Sequence, residues 1–163
     1  MALHPDFPSS PHAILDPGIR WFPADEALRE SSMEKLMPPL VAELRRKVKE
    51  FRDGGYVGAA ATSKNLLNWW FNTPHWLPKA DGTMAEFKYY FAQREALETI
   101  VWLYDVAGVK DKHDMMRFDA SGLVSGGMFD ETWRRFVVKM ATGSGKTKVL
   151  SLALAWSFYH KLY

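Results

Sequence analysis

Cysteine is missing from all 163 residues, which excludes a disulfide frame and any thiolate metal site. A reducing cytoplasm is compatible with this, and a cytoplasmic location is expected. A long apolar run is missing too. The longest candidate, after Thr147, is broken by Ser151, Ser157 and His160 and falls short of the roughly 18 residues a span needs, so no membrane partner is expected. Met1-Ala-Leu-His-Pro-Asp-Phe-Pro has no basic stretch followed by an apolar one, so it does not read as a secretory signal. Excess charge of either sign is absent. Twenty-one Lys and Arg stand against 19 Asp and Glu, for a net +2, which argues neither for nor against nucleic acid. His113 stands with Asp111 and Asp114, but no second histidine follows at ligand spacing, so no metal site is expected there. No internal repeat appears, and no Ser/His/Asp or Cys/His arrangement can be argued.

What is present suits one folded domain. Hydrophobic residues make up 47% and charged residues 25%, enough apolar material for a core and too little charge for a disordered chain. The most informative stretch is Lys139-Met-Ala-Thr-Gly-Ser-Gly-Lys-Thr147. It follows the apolar Phe136-Val137-Val138 and runs into Val149-Leu150-Ser151-Leu152-Ala153-Leu154-Ala155-Trp156. The order reads strand, glycine-rich turn, helix. Such a turn aims successive backbone N–H groups at one spot, and the helix behind it adds its positive dipole end. Gly143 and Gly145 let the backbone approach an anion, Lys146 can reach the outer phosphates, and the Thr147 hydroxyl can ligate Mg²⁺. One departure stands out: the general pattern G-x-x-x-x-G-K-[ST] asks for glycine where this chain has Met140. A Gly/Ser loop with a chance lysine is the bland alternative.

Before that stretch the chain falls into three parts. Residues 1–39 form a proline-rich arm and a short helix. Pro5, Pro8, Pro11, Pro17 and Pro23 favour extended segments, with Trp21 and Phe22 as anchors or a floppy tail as the alternative. A helix over 25–37 would be capped by Asp25 or Ser32 and closed by Pro38-Pro39. Residues 40–108 read as helical. Leu40, Leu44, Val48 and Phe51 share a face, Glu43 and Lys47 are four apart, and Gly54-Gly55 supplies the stop. Arg45-Arg46-Lys47 with Lys49 could touch phosphates, but fits a solvated helix face better. Thr62 or Ser63 is expected to cap a helix over 63–72. Its Trp69, Trp70 and Phe71, with Trp76, could stack bases but are read as core. Asp81-Gly82 is a turn. A long helix is predicted over 87–106, with Phe87, Tyr90, Phe91, Leu97, Ile100, Val101 and Tyr104 on its apolar face and Gly108 at its end. Residues 109–132 read as a linker, and 133–163 as the start of a nucleotide-binding core with a strand near 135–140 and a helix over 146–160.

Three stretches carry a resemblance: Tyr89-Tyr-Phe-Ala-Gln-Arg-Glu-Ala-Leu-Glu98, Gly122-Leu-Val-Ser-Gly-Gly-Met-Phe-Asp-Glu-Thr-Trp133 and Phe136-Val-Val-Lys-Met-Ala-Thr-Gly-Ser-Gly-Lys-Thr147. Phe51-Arg-Asp-Gly-Gly-Tyr56 and Leu66-Leu-Asn-Trp-Trp-Phe71 add to it. Together, over roughly residues 40–163, the chain resembles the N-terminal part of the large subunit of type III restriction enzymes and related superfamily 2 DNA helicases, which are DEAD/DEAH-like ATPases. The resemblance implies a mostly α-helical N-terminal region joined to the first strand–P-loop–helix unit of an incomplete α/β P-loop NTPase (RecA-like) core. It implies ATP and Mg²⁺ as cofactors. Thr142, Gly143, Ser144, Gly145, Lys146 and Thr147 would hold phosphates, and Thr147 would also hold the metal. Gln93 would read the adenine edge, a task suited to an amide that both donates and accepts. DNA, met through a parent restriction-modification defence protein, and a methyltransferase or specificity subunit are the partners the resemblance suggests. Self-association is expected from the apolar character of the last helix.

Two rivals stand beside this reading. One is a truncated, non-catalytic relative acting as an interaction or regulatory protein; the other is a P-loop enzyme of a different class, such as a kinase. Hydrolysis in the resembled family needs an acidic motif on a later strand and an arginine finger from a second lobe, and neither is found up to Tyr163. The chain by itself is therefore expected to release no phosphate from ATP above background, with or without DNA. Turnover that survives purification and vanishes in Lys146→Ala would contradict this.

Overall fold

The computed structural model describes residues 41–118 and 137–163. The arm and short helix of 1–39, residues 119–132 of the expected linker and residues 133–136 lie outside the described residues. In chain order the elements are α1 (Val41–Asp53), α2 (Ala61–Asn72), β1 (His75–Pro78), β2 (Met84–Phe87), α3 (Phe91–Val101), a π-helical turn (Trp102–Val106), α4 (Lys112–Met116) and α5 (Lys146–Leu162). Helix α3 is the hub, touching α1, α2 and α5.

Helix α1 forms as the periodicity predicts, with Val48 and Phe51 buried. It ends in a Schellman motif. The Tyr56 N–H donates to Phe51 O and the Gly55 N–H to Arg52 O, with Gly55 left-handed at φ 67°. The Tyr56 ring then packs edge-on against Phe51, centroids 5.1 Å apart. The basic cluster of α1 is neutralised: Arg45 pairs with Glu95, Arg46 with Glu43 and Glu50, Lys47 with Glu50 and Lys49 with Asp53.

Helix α2 starts ahead of its expected caps, Thr62 and Ser63. Ala60 is the N-cap residue, and its N–H is met by Asp105 Oδ2 at 3.0 Å, from the π-helical turn. Ser63 lies inside the helix, buried, and its hydroxyl accepts from Trp156 Nε1 at 2.8 Å. The aromatic run divides by the helical rotation of about 100° per residue. Trp70 is core, Phe71 is half-buried, and Trp69 (56% exposed) and Trp76 (57%) stay on the surface, against expectation.

The expected long helix begins four residues late because Phe87 belongs to a hairpin. β1 and β2 pair antiparallel with His75 opposite Phe87 and Pro78 opposite Met84. The turn is pinned by Asp81, whose Oδ1 accepts from the Thr83 N–H at 2.9 Å and the Thr83 hydroxyl at 2.6 Å. After Val101 the helix widens into the π turn, and Gly108 ends it at φ 60°. Residues 109–118 are packed and so depart from the expected linker. Asp111 caps α4 by accepting from the His113 and Asp114 N–H groups, and Val109 and Phe118 join the core, Phe118 against Trp102 at 5.4 Å. The strand expected near 135–140 is not formed over 137–140, where no ladder partner lies alongside among the described residues. Helix α5 buries Val149, Leu152 and Trp156 and leaves Leu150, Leu154, Phe158 and Leu162 exposed. No described helix is long and apolar enough to cross a membrane.

Where α1, α2 and α3 meet, Glu98 has no exposed surface. Its carboxylate accepts from Arg52 Nε at 2.7 Å and again from Arg52 Nη2, from the Tyr56 hydroxyl at 2.7 Å and from Arg94 Nε at 2.7 Å. Arg94 Nη2 also donates to the Tyr56 hydroxyl at 2.8 Å. No buried side-chain polar atom among the described residues lacks a partner. Burial first, and the Glu98 charge second, push the Tyr56 phenol well above its usual range. The sign follows: a raised acid adds stability below its unfolded value of about 10, and that stability is lost as pH rises through the folded value. The unmutated chain should therefore begin to lose unfolding free energy as pH rises above about 10. Tyr56→Phe should be weaker at pH 7 by about 1–3 kcal/mol, through the donor Glu98 loses, with a shallower alkaline decline. Denaturant titrations at pH 7 and at stepped alkaline pH above about 10 measure this, and parallel declines in the two proteins would contradict it.

Candidate functional site

The residues expected to hold phosphate run from the coil at 137–141 into the first turn of α5. Gly143 and Gly145 both take left-handed φ values, 81° and 78°, which β-carbon sterics make costly for other residues. Gly145 is the N-cap of α5, and no side chain caps that helix start. The N–H groups of Gly145, Lys146 and Thr147 have no preceding helical turn to bond to, whereas the Lys148 N–H already reaches Gly145 O at 2.9 Å. The loop braces itself through one carbonyl. Ala141 O accepts from the Ser144 N–H (3.3 Å), the Ser144 hydroxyl (2.6 Å) and Lys146 Nζ (3.2 Å). Lys146 Nζ also reaches Met140 O at 3.3 Å. Thus the backbone carbonyl of the residue that breaks the consensus holds the lysine. Thr142, Lys146 and Thr147 are exposed. The lysine can swing from neutral carbonyls to an anion without leaving water for a buried place.

Gln93 reaches this loop from across the fold. Helix α3 packs beside α5, and Gln93, third residue of α3, is only 5% exposed. Its Oε1 accepts from the Tyr90 N–H at 3.0 Å, one limb of a capping box at the start of α3. Its Nε2 donates to Ser144 O at 3.1 Å and lies 3.5 Å from Gly145 O. The structure therefore brings together the two groups of residues that the sequence singled out fifty positions apart. The amide that the resemblance gives to adenine is occupied at both ends.

Beside the start of α3 lies a cavity of about 230 Å³, lined by Trp70, Phe71, Phe87, Tyr89 and Arg94 among others. The Phe87 and Tyr89 rings stand edge-on at 4.9 Å, and Lys148 of α5 sits 5.8 Å over the Phe87 ring, so the hairpin leans on the first turn of α5. Burial raises the Tyr89 phenol. Sequence reasoning missed Phe87 as a hairpin residue, and it missed Glu98, Arg52 and Tyr56, which hold α3 in place. The i,i+4 pair Arg94–Glu98 was the available signal.

A divalent metal would find the Thr147 hydroxyl on the exposed first turn of α5. Among the described residues no group of three His, Cys, Asp or Glu side chains could hold a metal, His113 and its neighbours included. Magnesium at such a place takes most of its ligands from phosphate and water. Thr147 fits that as a single protein ligand.

No protein-family model, curated protein or solved structure matches the chain.

Two glycines in the loop allow a direct comparison. A Cβ on Gly145 would stand 2.1 Å from Gln93 Nε2, while one on Gly143 would meet nothing within 4 Å. Both substitutions incur the left-handed penalty of roughly 1–2 kcal/mol. Gly145→Ala should lower unfolding free energy further than Gly143→Ala, because it also displaces the glutamine amide. Combining it with Gln93→Ala should remove that excess. Equal losses at the two glycines would contradict the contact.

Proposed function

We propose that this chain is the ATP-binding N-terminal part of an ATP-dependent DNA helicase or translocase of a restriction-modification system. The observation that carries the reading is the loop. Two left-handed glycines lead into an uncapped helix start, with Lys146 and Thr147 exposed on its first turn. Anions settle at such a place because several N–H groups and a helix dipole converge there. Phosphates would displace the Met140 and Ala141 carbonyls from Lys146 and take its charge. Mg²⁺ would enter with the nucleotide, held by phosphate oxygens and the Thr147 hydroxyl. Gln93 supports the reading by lying against the loop. In this reading DNA and a methyltransferase or specificity subunit are met through the parent protein.

A second reading is favoured by one observation. Helix α5 leaves Leu150, Leu154, Phe158 and Leu162 exposed in an i,i+4 stripe, as an interaction or regulatory protein without turnover would.

Calorimetric titration with ATP, GTP and inorganic tripolyphosphate in Mg²⁺ decides between the two. The nucleotide reading expects binding of all three. It also expects Lys146→Ala to weaken them alike by about 1.5–3 kcal/mol, the worth of a charged hydrogen bond. No binding of any of the three at millimolar concentration would overturn it in favour of the interaction protein.

A further inference from the structure

We infer that Gln93 is a positioning residue that clasps the phosphate loop to the start of α3, rather than a reader of the base. In its effect on affinity the inference rests on the nucleotide reading; in its effect on the loop it does not. Its ground is the accounting of one amide. Oε1 is engaged by the Tyr90 N–H, Nε2 bridges towards Ser144 O and Gly145 O, and the side chain is 5% exposed. A base edge needs a donor and an acceptor presented side by side to the ligand. Here the acceptor is turned to the backbone of its own helix and the donor to the loop.

The peptide plane says what the clasp does. In a trans peptide the C=O and the following N–H point in opposite directions across one rigid unit. Ser144 O drawn onto Gln93 Nε2 therefore turns the Gly145 N–H to the far side. The Lys146 N–H is already set by the helix, since Gly145 O accepts from the Lys148 N–H at 2.9 Å. The Gly145 N–H is one of the groups that α5 leaves without an intrahelical partner. Gly145 has to be glycine for this to work, since any Cβ there collides with the clasping amide. Gln93 thus aims the Gly145 N–H from behind, through the Ser144–Gly145 peptide plane, and touches no ligand.

Two measurements on the full chain test it. The first compares Gln93→Ala and Gln93→Met, the latter keeping side-chain length without the hydrogen bonds, for ATP, GTP and inorganic tripolyphosphate. A clasp predicts that both variants weaken all three by the same factor, about three- to tenfold for loss of one hydrogen bond. A loss for ATP with tripolyphosphate unchanged makes Gln93 a base reader and overturns the inference. The second measurement is amide hydrogen exchange on the ligand-free protein. A clasp predicts faster exchange at Gly145–Val149 in both variants, with the amides around Val48 and Val101 unchanged. Unchanged exchange at the loop, or a uniform rise across the core, overturns the inference. If the unmutated chain binds none of the three ligands, the nucleotide reading falls and the clasp is decided by the exchange result alone.

Discussion

A carboxylate with no exposed surface must be met by donors on every side, and the rest of the fold is arranged around meeting one. Glu98 takes its donors from the end of α1 (Arg52), from the turn that closes α1 (Tyr56) and from its own helix (Arg94). Removing one partner from a buried pair of this kind leaves an uncompensated charge and costs about 3–5 kcal/mol. The cost explains features that look unrelated. The Schellman ending of α1 swings Tyr56 inward so that its hydroxyl arrives at Glu98. Arg52 and Arg94 spread over the Phe91 and Phe71 rings, 5.1 and 5.4 Å from their centroids, and carry aromatic walls with them. The network fixes the first half of α3 in depth and rotation, and Gln93 lies one residue before Arg94.

From there the constraint passes to the loop. With α3 fixed, Gln93 has one place to reach, and that place is the carbonyl edge of Ser144 and Gly145. Helix α5 is held independently at its other end: Trp156 donates to the buried Ser63, and His160 meets Asp105 at 3.0 Å. Asp105 also satisfies the N–H that opens α2. The glycine-rich start of α5 is thus tethered to α3, while its body is tethered to α2 and the π turn.

Much of this was legible in the sequence, for local reasons. Helix α1 follows from apolar spacing, α5 from the apolar run behind a glycine-rich turn, and the ends at Gly55 and Gly108 from the left-handed conformation that glycine permits. The glycine turn before Lys146 could be read because its chemistry is carried by consecutive residues. What was not legible depended on contacts distant in sequence. Asp81-Gly82 is recognisable as a turn, but the flanking four-residue strands carry Pro78 and too little alternation to announce themselves, so the apolar spacing alone places Phe87 in the helix. Ser63 reads as a cap from the sequence because nothing local reveals Trp156, 93 residues away, as its partner. Val109 and Phe118 sit in a stretch of charges and turn formers, and only the packing of Phe118 on Trp102 makes that stretch part of the core. Beyond its i,i+4 spacing from Arg94, nothing in the sequence singles out Glu98, since its burial is decided by α1.

The central claim is that the α5 start, held by α3 through Gln93, is an anion site. Backbone amide resonances of the ¹⁵N-labelled chain, followed as ATP and Mg²⁺ are added, test it most directly. The account predicts saturable shifts centred on Gly143, Gly145, Lys146 and Thr147, with a smaller response at Tyr90, whose N–H shares the Gln93 amide with the loop. Shifts confined to other parts of the chain, or none at millimolar nucleotide, would contradict it.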